Sequence, residues 1–380
     1  MSARSMLSWS DQSEKIDTQS IHASPCLPGN GILKITSNHS SIKHADLQHR
    51  ISFPIIQYKY PLKLLISRAF YNRNHNTQIG VVHILNYGGG LVHGDHLSIE
   101  IYLESHCQLL CLSQGSTKVF KNSLLSAKSH HLNQESLYPN SSQKNSIGLA
   151  DSTKQTIYSK IGSHSTLLML PSYVTCFRDS NFIQKQSFHL QDLTSSLVCL
   201  DWFTSGRSSS TRLHHQHPYK ESWSFQKYHS FIEIFIASNR IIRDNLIQTP
   251  TTILKNKPFQ VYVNLFLISS SSHPVLMNLF NYLSNLNKSL SNQTFKNNNP
   301  TRNRSQTEKL LWSFSELDCS PDFLSSANLI STSSSQISSS IRIAVIRIGA
   351  ETSILIRDWL QYNLSSLKDL IGPELFKNCF

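Results

Sequence analysis

Three features place the chain in the mainly β class, a β-rich α+β protein with few helices. Leu97, Ile99, Ile101 and Leu103 alternate with Ser98, Glu100, Tyr102 and Glu104, the period of two expected of a half-buried strand. Short apolar runs of strand length recur between turn-forming residues. Helical periodicity, by contrast, is read only in the C-terminal segment, where Leu355, Trp359, Leu360, Leu364, Leu367 and Ile371 form one apolar stripe.

Taken in order, residues 1–27 are polar and aperiodic and are expected to form a disordered tail. Residues 28–380 are expected to form one domain. Pro61 opens a strand over 61–66, and 81–85 is a short buried-type strand that runs into Gly88-Gly89-Gly90. The alternating segment from Leu97 to Leu103 is followed, after Ser105-His106, by an apolar strand over 107–112. The two are expected to pair as an antiparallel hairpin. That would bring the block Gly88 to Asp95, which enters the first strand, beside the block Ser113 to Phe120, which leaves the second. Strands are also expected over 165–170, 182–190, 197–202, 230–237, 261–268 and 341–348. Residues 122–155 and 285–340 are rich in Ser, Asn, His and Lys and read as low-complexity insertions. The apolar island Lys309 to Phe314 within the second reads as a short docking helix, and Gly372-Pro373 as the end of the C-terminal helix.

Composition narrows the classes. At 380 residues with 15% charged side chains, the chain lies well below the usual charged share of roughly a quarter. Its net charge of +12 favours an acidic partner surface or a polyanion. The basic residues are dispersed without aromatic interleaving, which counts against nucleic-acid binding. No apolar run approaches the ~20 residues that cross a bilayer, so no membrane partner is expected. Seven cysteines at scattered spacing suit reduced thiols in a cytoplasmic protein.

The motifs support no common catalytic chemistry. The glycine block lacks the spacing of a dinucleotide loop and the Lys-Ser/Thr of a P-loop. Gly-x-Ser-x-Gly is absent. His93 and His96 flank Asp95, a trio that could ligate nickel or zinc or serve a metal-dependent hydrolase. Asp95 reads equally as a turn residue. His214, His215 and His217 form a tract that could bind metal loosely or lie in a solvated loop. Cys107 and Cys111 share a strand face but lie roughly 13 Å apart, too far to chelate one ion. Asp201, Arg207 and Glu221 are charged groups near apolar strands and read as supplying a buried carboxylate–arginine pair that holds a turn, or as polar groups lining an internal passage.

Gly88-Gly89-Gly90-Leu91-Val92, Gly94-Asp95, Gln114, Ser116-Thr117-Lys118, Asp201-Trp202, Thr204-Ser205-Gly206-Arg207 and Glu221-x-Trp223 follow one another in an order that resembles the urease accessory protein UreD (UreH) family. Thr175-Cys176-Phe177 after Pro171 is also similar. Within that resemblance Gly89, Gly90, Gly94, Gln114, Lys118, Trp202, Ser205, Gly206 and Arg207 are structural motif residues. The resemblance implies helically stacked, sandwich-like strands with a few helices. It implies a non-catalytic scaffold that joins UreF-like and UreG-like proteins and apo-urease. It further implies a conduit for transient Ni²⁺, with no tightly bound cofactor. Such a conduit needs weak oxygen ligands, and the candidates are Asp95, Ser116, Thr117, Asp201 and Glu221.

Overall fold

The structure is a computed structural model that describes residues 26–38, 50–72, 77–121, 152–207, 221–253, 259–296, 310–317 and 341–380. The first strands are β1 (Asn30–Asn38), β2 (Arg50–Tyr58), β3 (Leu62–Asn72), β4 (Thr77–Asn86), β5 (His96–Leu103), β6 (Gln108–Ser113) and β7 (Thr117–Val119). Next come β8 (Thr153–Ile161), β9 (Thr166–Met169), β10 (Val174–Cys176), β11 (Asn181–Leu190), β12 (Ser196–Thr204), β13 (Lys227–Ile236) and β14 (Asn239–Gln248). Then follow α1 (Pro250–Ile253), β15 (Val261–Ser270), α2 (Pro274–Lys296), β16 (Leu310–Leu317) and β17 (Ile341–Ala350). The chain closes with α3 (Ser353–Asn363), α4 (Lys368–Ile371) and α5 (Pro373–Cys379).

These strands build two facing mixed sheets. The first runs β14-β13-β11-β8-β5-β1-β2, and the second runs β16-β17-β15-β12-β9-β6-β4-β3, with β10 pairing the last residues of β12 and β7 pairing β10. At their centre the sheets are parallel: β5, β8, β11 and β13 stack in the first, and β4, β6, β9 and β12 in the second. Three times the chain climbs a strand of the first sheet, crosses over, and returns down a strand of the second. The crossings β5–β6 and β8–β9 lie on one another, with His106 N–H donating to Ser163 O at 3.0 Å and the His106 and His164 rings stacked 4.9 Å apart.

The expected hairpin is therefore corrected. β5 and β6 do not pair; they belong to opposite sheets. Their directions of travel are still opposed, so the two motif blocks still reach the same rim. There Leu91 N–H donates to Lys118 O at 2.7 Å and Phe120 N–H to Leu91 O at 2.9 Å.

Three further expectations change. The island at 309–314 is not a helix but β16, in which Leu310, Trp312 and Phe314 pack on the core while Leu311 stays exposed. α2 extends to Lys296 and β8 begins at Thr153, both inside stretches read as insertions. The C-terminal stripe breaks into a 3₁₀ turn after Leu364; Gly372, at φ +81°, ends α4 as expected, and Pro373 then opens a further helix, α5, at a first-turn position that needs no N–H. Residues 1–25 and His214, His215 and His217 lie outside the described residues.

Burial explains the layering. One apolar cluster fills the space between the sheets, and another joins the outer face of the second sheet to α2, α3 and α4. The second sheet is thus covered twice, and all nine residues of β12 are buried, as its near-continuous apolar sequence requires.

Gly90 is what permits the stitched rim. A Cβ there would stand 2.5 Å from Lys118 O, on the backbone that Leu91 bonds. Gly90→Val is expected to destabilise the fold by roughly 1–3 kcal/mol, read as a lowered denaturant midpoint; an unchanged midpoint would show that the rim is not tightly joined.

Candidate functional site

A polar slot enters the sandwich at this rim. Its mouth, about 300 Å³, is walled by Lys63 and Tyr87 on one side and by Gln114 to Thr117 on the other. Behind it lies an inner cavity of about 40 Å³. Ile84, Asn86, Ser113 and Thr117 line both spaces. The inner cavity holds more than the ~10–15 Å³ that one water needs. Asn86 Oδ1 is buried without a hydrogen-bond partner among the described residues, a state that calls for a water or cation at the atom.

The inner end is a polar rung in an apolar core. Gln155, Gln184 and Ser230 are register partners across β8, β11 and β13. Alternation points Gln184 to the same face as the buried Phe182 and Phe188. Opposite them stands Asp201 of β12, only 4% exposed. Its Oδ1 accepts from Gln184 Nε2 at 2.9 Å and more distantly from the Tyr228 hydroxyl at 3.5 Å, and its Oδ2 from Ser230 Oγ at 2.7 Å. Burial pushes the Asp201 carboxyl up to about 6, against the opposing pull of the Ser230 and Gln184 bonds. At neutral pH it is mostly a carboxylate, held by three neutral donors and lining a cavity large enough for water.

The nearby thiols do not compete. Burial pushes Cys176 up to about 12, and Cys111 and Cys199 upward as well. They stay protonated at neutral pH and are poor ligands. The polar groups of the slot are hydroxyls, amides and one carboxylate, with Lys63 at the mouth, set among apolar side chains such as Ile84, Ile157, Met169 and Val174.

The sequence candidates divide. Ser116 lies in the mouth, Thr117 in mouth and cavity, and Asp201 at the inner end. Asp95 is not in the lining: its Oδ2 accepts from Val92 N–H at 2.8 Å, closing its own turn. Glu221 does not face the slot either. Its Oε1 takes Arg207 Nη2 at 2.9 Å, while its Oε2 is buried with no described partner. Of the two carboxylates expected near Arg207, Glu221 is the one that pairs with it, at an exposed rather than buried guanidinium that lies over Phe177. Gly206 sits at φ +132°, and a Cβ there would meet Glu221 O at 2.5 Å. Trp202 Nε1 donates to Pro171 O at 2.8 Å, and Ser205 Oγ to Gln260 Oε1 at 2.6 Å. Gly89 and Gln114 line the mouth, whereas Gly94 and Lys118 do not. Among the described residues no three His, Cys, Asp or Glu side chains converge as a metal cage. His93, Asp95 and His96 therefore do not assemble the ligand set that a hydrolase would need.

Sequence reading missed Asn86, Gln155, Gln184, Gln186, Ser230 and Asn264. For most of these a signal existed: polar residues in the apolar phase of an alternating strand, as in Phe182-x-Gln184-x-Gln186-x-Phe188.

Comparison with known proteins gives a consistent answer. The family described as UreD urease accessory protein matches residues 49–374. The chain is 30% identical over 337 residues to urease accessory protein 4 of Cryptococcus neoformans var. grubii, covering 84% of this chain and 88% of that protein. It is 26% identical over 325 residues to urease accessory protein D of Arabidopsis thaliana, covering 83% and 91%. An uncharacterized ureD-like urease accessory protein of Schizosaccharomyces pombe is 29% identical over 272 residues, covering 68% and 78%.

Asp201→Asn keeps the shape of the rung and removes a buried charge. The raised Asp201 pKa means that the wild-type fold holds the proton more tightly than the unfolded chain does. Wild-type stability from this group is therefore fullest below the ordinary value of 3.8 and is lost as pH rises through about 6. The variant should melt at or above the wild-type temperature at pH 7.5, with the difference shrinking towards pH 4. A variant that melts well below wild type at pH 7.5 would contradict this.

Proposed function

This chain belongs to the UreD family of urease accessory proteins, and from that premise we propose that it is a non-catalytic scaffold of urease maturation that passes Ni²⁺ towards the urease active site. The reading places it in a complex with UreF-like and UreG-like proteins and apo-urease. The single observation that supports it most is the partly polar slot leading from the stitched rim to the Asp201 carboxylate.

The chemistry of passage follows from that lining. Mg²⁺, Ca²⁺ and Mn²⁺ suit carboxylate, carbonyl and water, whereas Ni²⁺ binds nitrogen and sulfur more strongly. An ion moving between hydroxyls, amides and one carboxylate keeps part of its water shell and leaves easily. Thr117 and Ser116 meet it first. Asn86 Oδ1 and the Gln155 and Gln184 amides supply neutral oxygens further in. Asp201 supplies the one full negative charge that offsets the cost of bringing a dication into the sandwich. No step requires a bond to be made or broken, in keeping with an accessory rather than a catalytic role.

Two outcomes test this reading. Asp201→Asn should lower urease nickel content and activity by at least about ten-fold, the scale on which one polar group near a metal changes its handling. Urease protein should persist, and the variant should still co-purify with its partners. Normal nickel content would refute Asp201 as a passage residue. Loading in vitro by the wild type should also fall as pH is lowered through about 6, because protons then occupy the carboxylate. The Asp201→Asn variant should show no such step.

A further inference from the structure

The polar rung continues beyond Asp201. Asn264 on β15 is its register partner, and Arg347 on β17 is the register partner of Asn264. Directly opposed residues in antiparallel strands share a face, so all three side chains point at the first sheet. Two strand spacings of about 4.8 Å put Arg347 roughly 10 Å along the row from Asp201, near the open edge of the sandwich. There Arg347 Nη1 donates to Asn264 Oδ1 at 3.2 Å and Nη2 to Asp244 Oδ1, on β14 of the facing sheet, at 2.5 Å. Asn264 is buried, whereas the Arg347 side chain is 53% exposed and that of Asp244 14%. The negative charge of Asp244 is felt at Asp201, where it adds to the upward shift of that carboxyl.

A half-exposed ion pair contributes little to stability. What this pair does is close the row: one guanidinium bridges both sheets and covers two oxygens, Asp244 Oδ1 and Asn264 Oδ1. These are the ligand types a divalent cation takes, in line with the oxygens of the inner cavity. A guanidinium and a dication compete for the same atoms and repel one another. The exposed stem of Arg347 leaves it room to swing into solvent.

We infer that the Arg347–Asp244 pair is the closed second end of the slot, and that Asp244 with Asn264 forms a divalent-cation station uncovered when Arg347 swings out; this rests on the conduit reading above. The exchange is balanced in charge, since a cationic side chain leaves as a cation arrives. The passage is thereby sealed at rest on the side away from the glycine rim, and the cargo itself favours opening.

The test separates the gate from the passage. Full-length chain carrying Asn264→Cys is treated with a small cationic methanethiosulfonate, with Arg347 intact and with Arg347→Met. Removing the guanidinium should speed labelling on the order of ten-fold, as loss of a local closing contact does; equal rates overturn the gate. If Asn264→Cys does not fold, Ser230→Cys reports the same access from one position further in. Loading is then measured with Ni²⁺ in chains that keep Asn264. Asp244→Asn should lower urease nickel content several-fold with its melting temperature unchanged, and wild-type nickel content in that variant overturns the station. Arg347→Met should make transfer sensitive to a chelator in the medium, and insensitivity counts against the seal. Asp201→Asn distinguishes the two failures: loss of loading there beside normal loading in Asp244→Asn and Arg347→Met confines the failure to the gate, while normal loading in all three removes the conduit itself.

Discussion

In-register strand pairing, parallel at the centre of each sheet and antiparallel from β12 through β15 to β17, is the constraint from which the rest of this structure follows. In such a ladder each residue stands beside its register partner one strand spacing away, so polar residues at matched positions become a continuous row. Gln155, Gln184 and Ser230 form that row in the first sheet, and Asp201, Asn264 and Arg347 form its counterpart across the sandwich. The same stacking delivers successive strand ends of the second sheet to one rim, where the glycine block and the Ser113–Phe120 segment are stitched together. The mouth and the row are thus consequences of one architecture.

A row of this kind is expensive in a core and survives only when its members bond one another. Here three neutral donors hold one carboxylate, and burial still raises its pKa to about 6. The site therefore stands between extremes. It carries one charge at neutral pH, which on the proposed reading is enough to attract a dication and too little to retain one. Buried thiols nearby are kept protonated by the same desolvation, so the anionic group of the path is the Asp201 carboxylate. A carrier of metal needs shallow wells in succession, and amides, hydroxyls and a single carboxylate make shallow wells.

Much of the fold was legible from periodicity, and the misreadings have physical causes. The strand through Leu97 to Leu103 announced itself by alternation. Its partner was misjudged because a hairpin and a crossing between sheets carry the same local signal, two strands and a short turn. What separates them is which neighbours the strands find, and these are distant in sequence. β2 was hidden by Pro54 and β14 by its many polar residues, both marks of edge strands, where a missing or unpaired N–H is tolerated. The island at Leu310 already alternated in step with Trp312 and Phe314, but its Asn- and Ser-rich surroundings drew attention away from the period. At the site, Asp201, Ser116 and Thr117 were visible within motifs. Their partners were not, because Gln184 or Ser230 becomes notable only when the strand phase is known to turn it inward. Asp95 and Glu221 were polar residues of the same motifs whose carboxylates the fold uses at home, one on its own turn and one on Arg207.

On the proposed reading a cation enters at the glycine rim and rests beside Asp201 inside the sandwich. The most direct measurement is anomalous diffraction at the nickel edge from crystals of this protein soaked in Ni²⁺ near neutral pH. A partly occupied peak is expected in the cavity between Thr117 and Asp201, lost on soaking below pH 6. Nickel found only on surface histidines, with an empty and unchanged cavity, would contradict it.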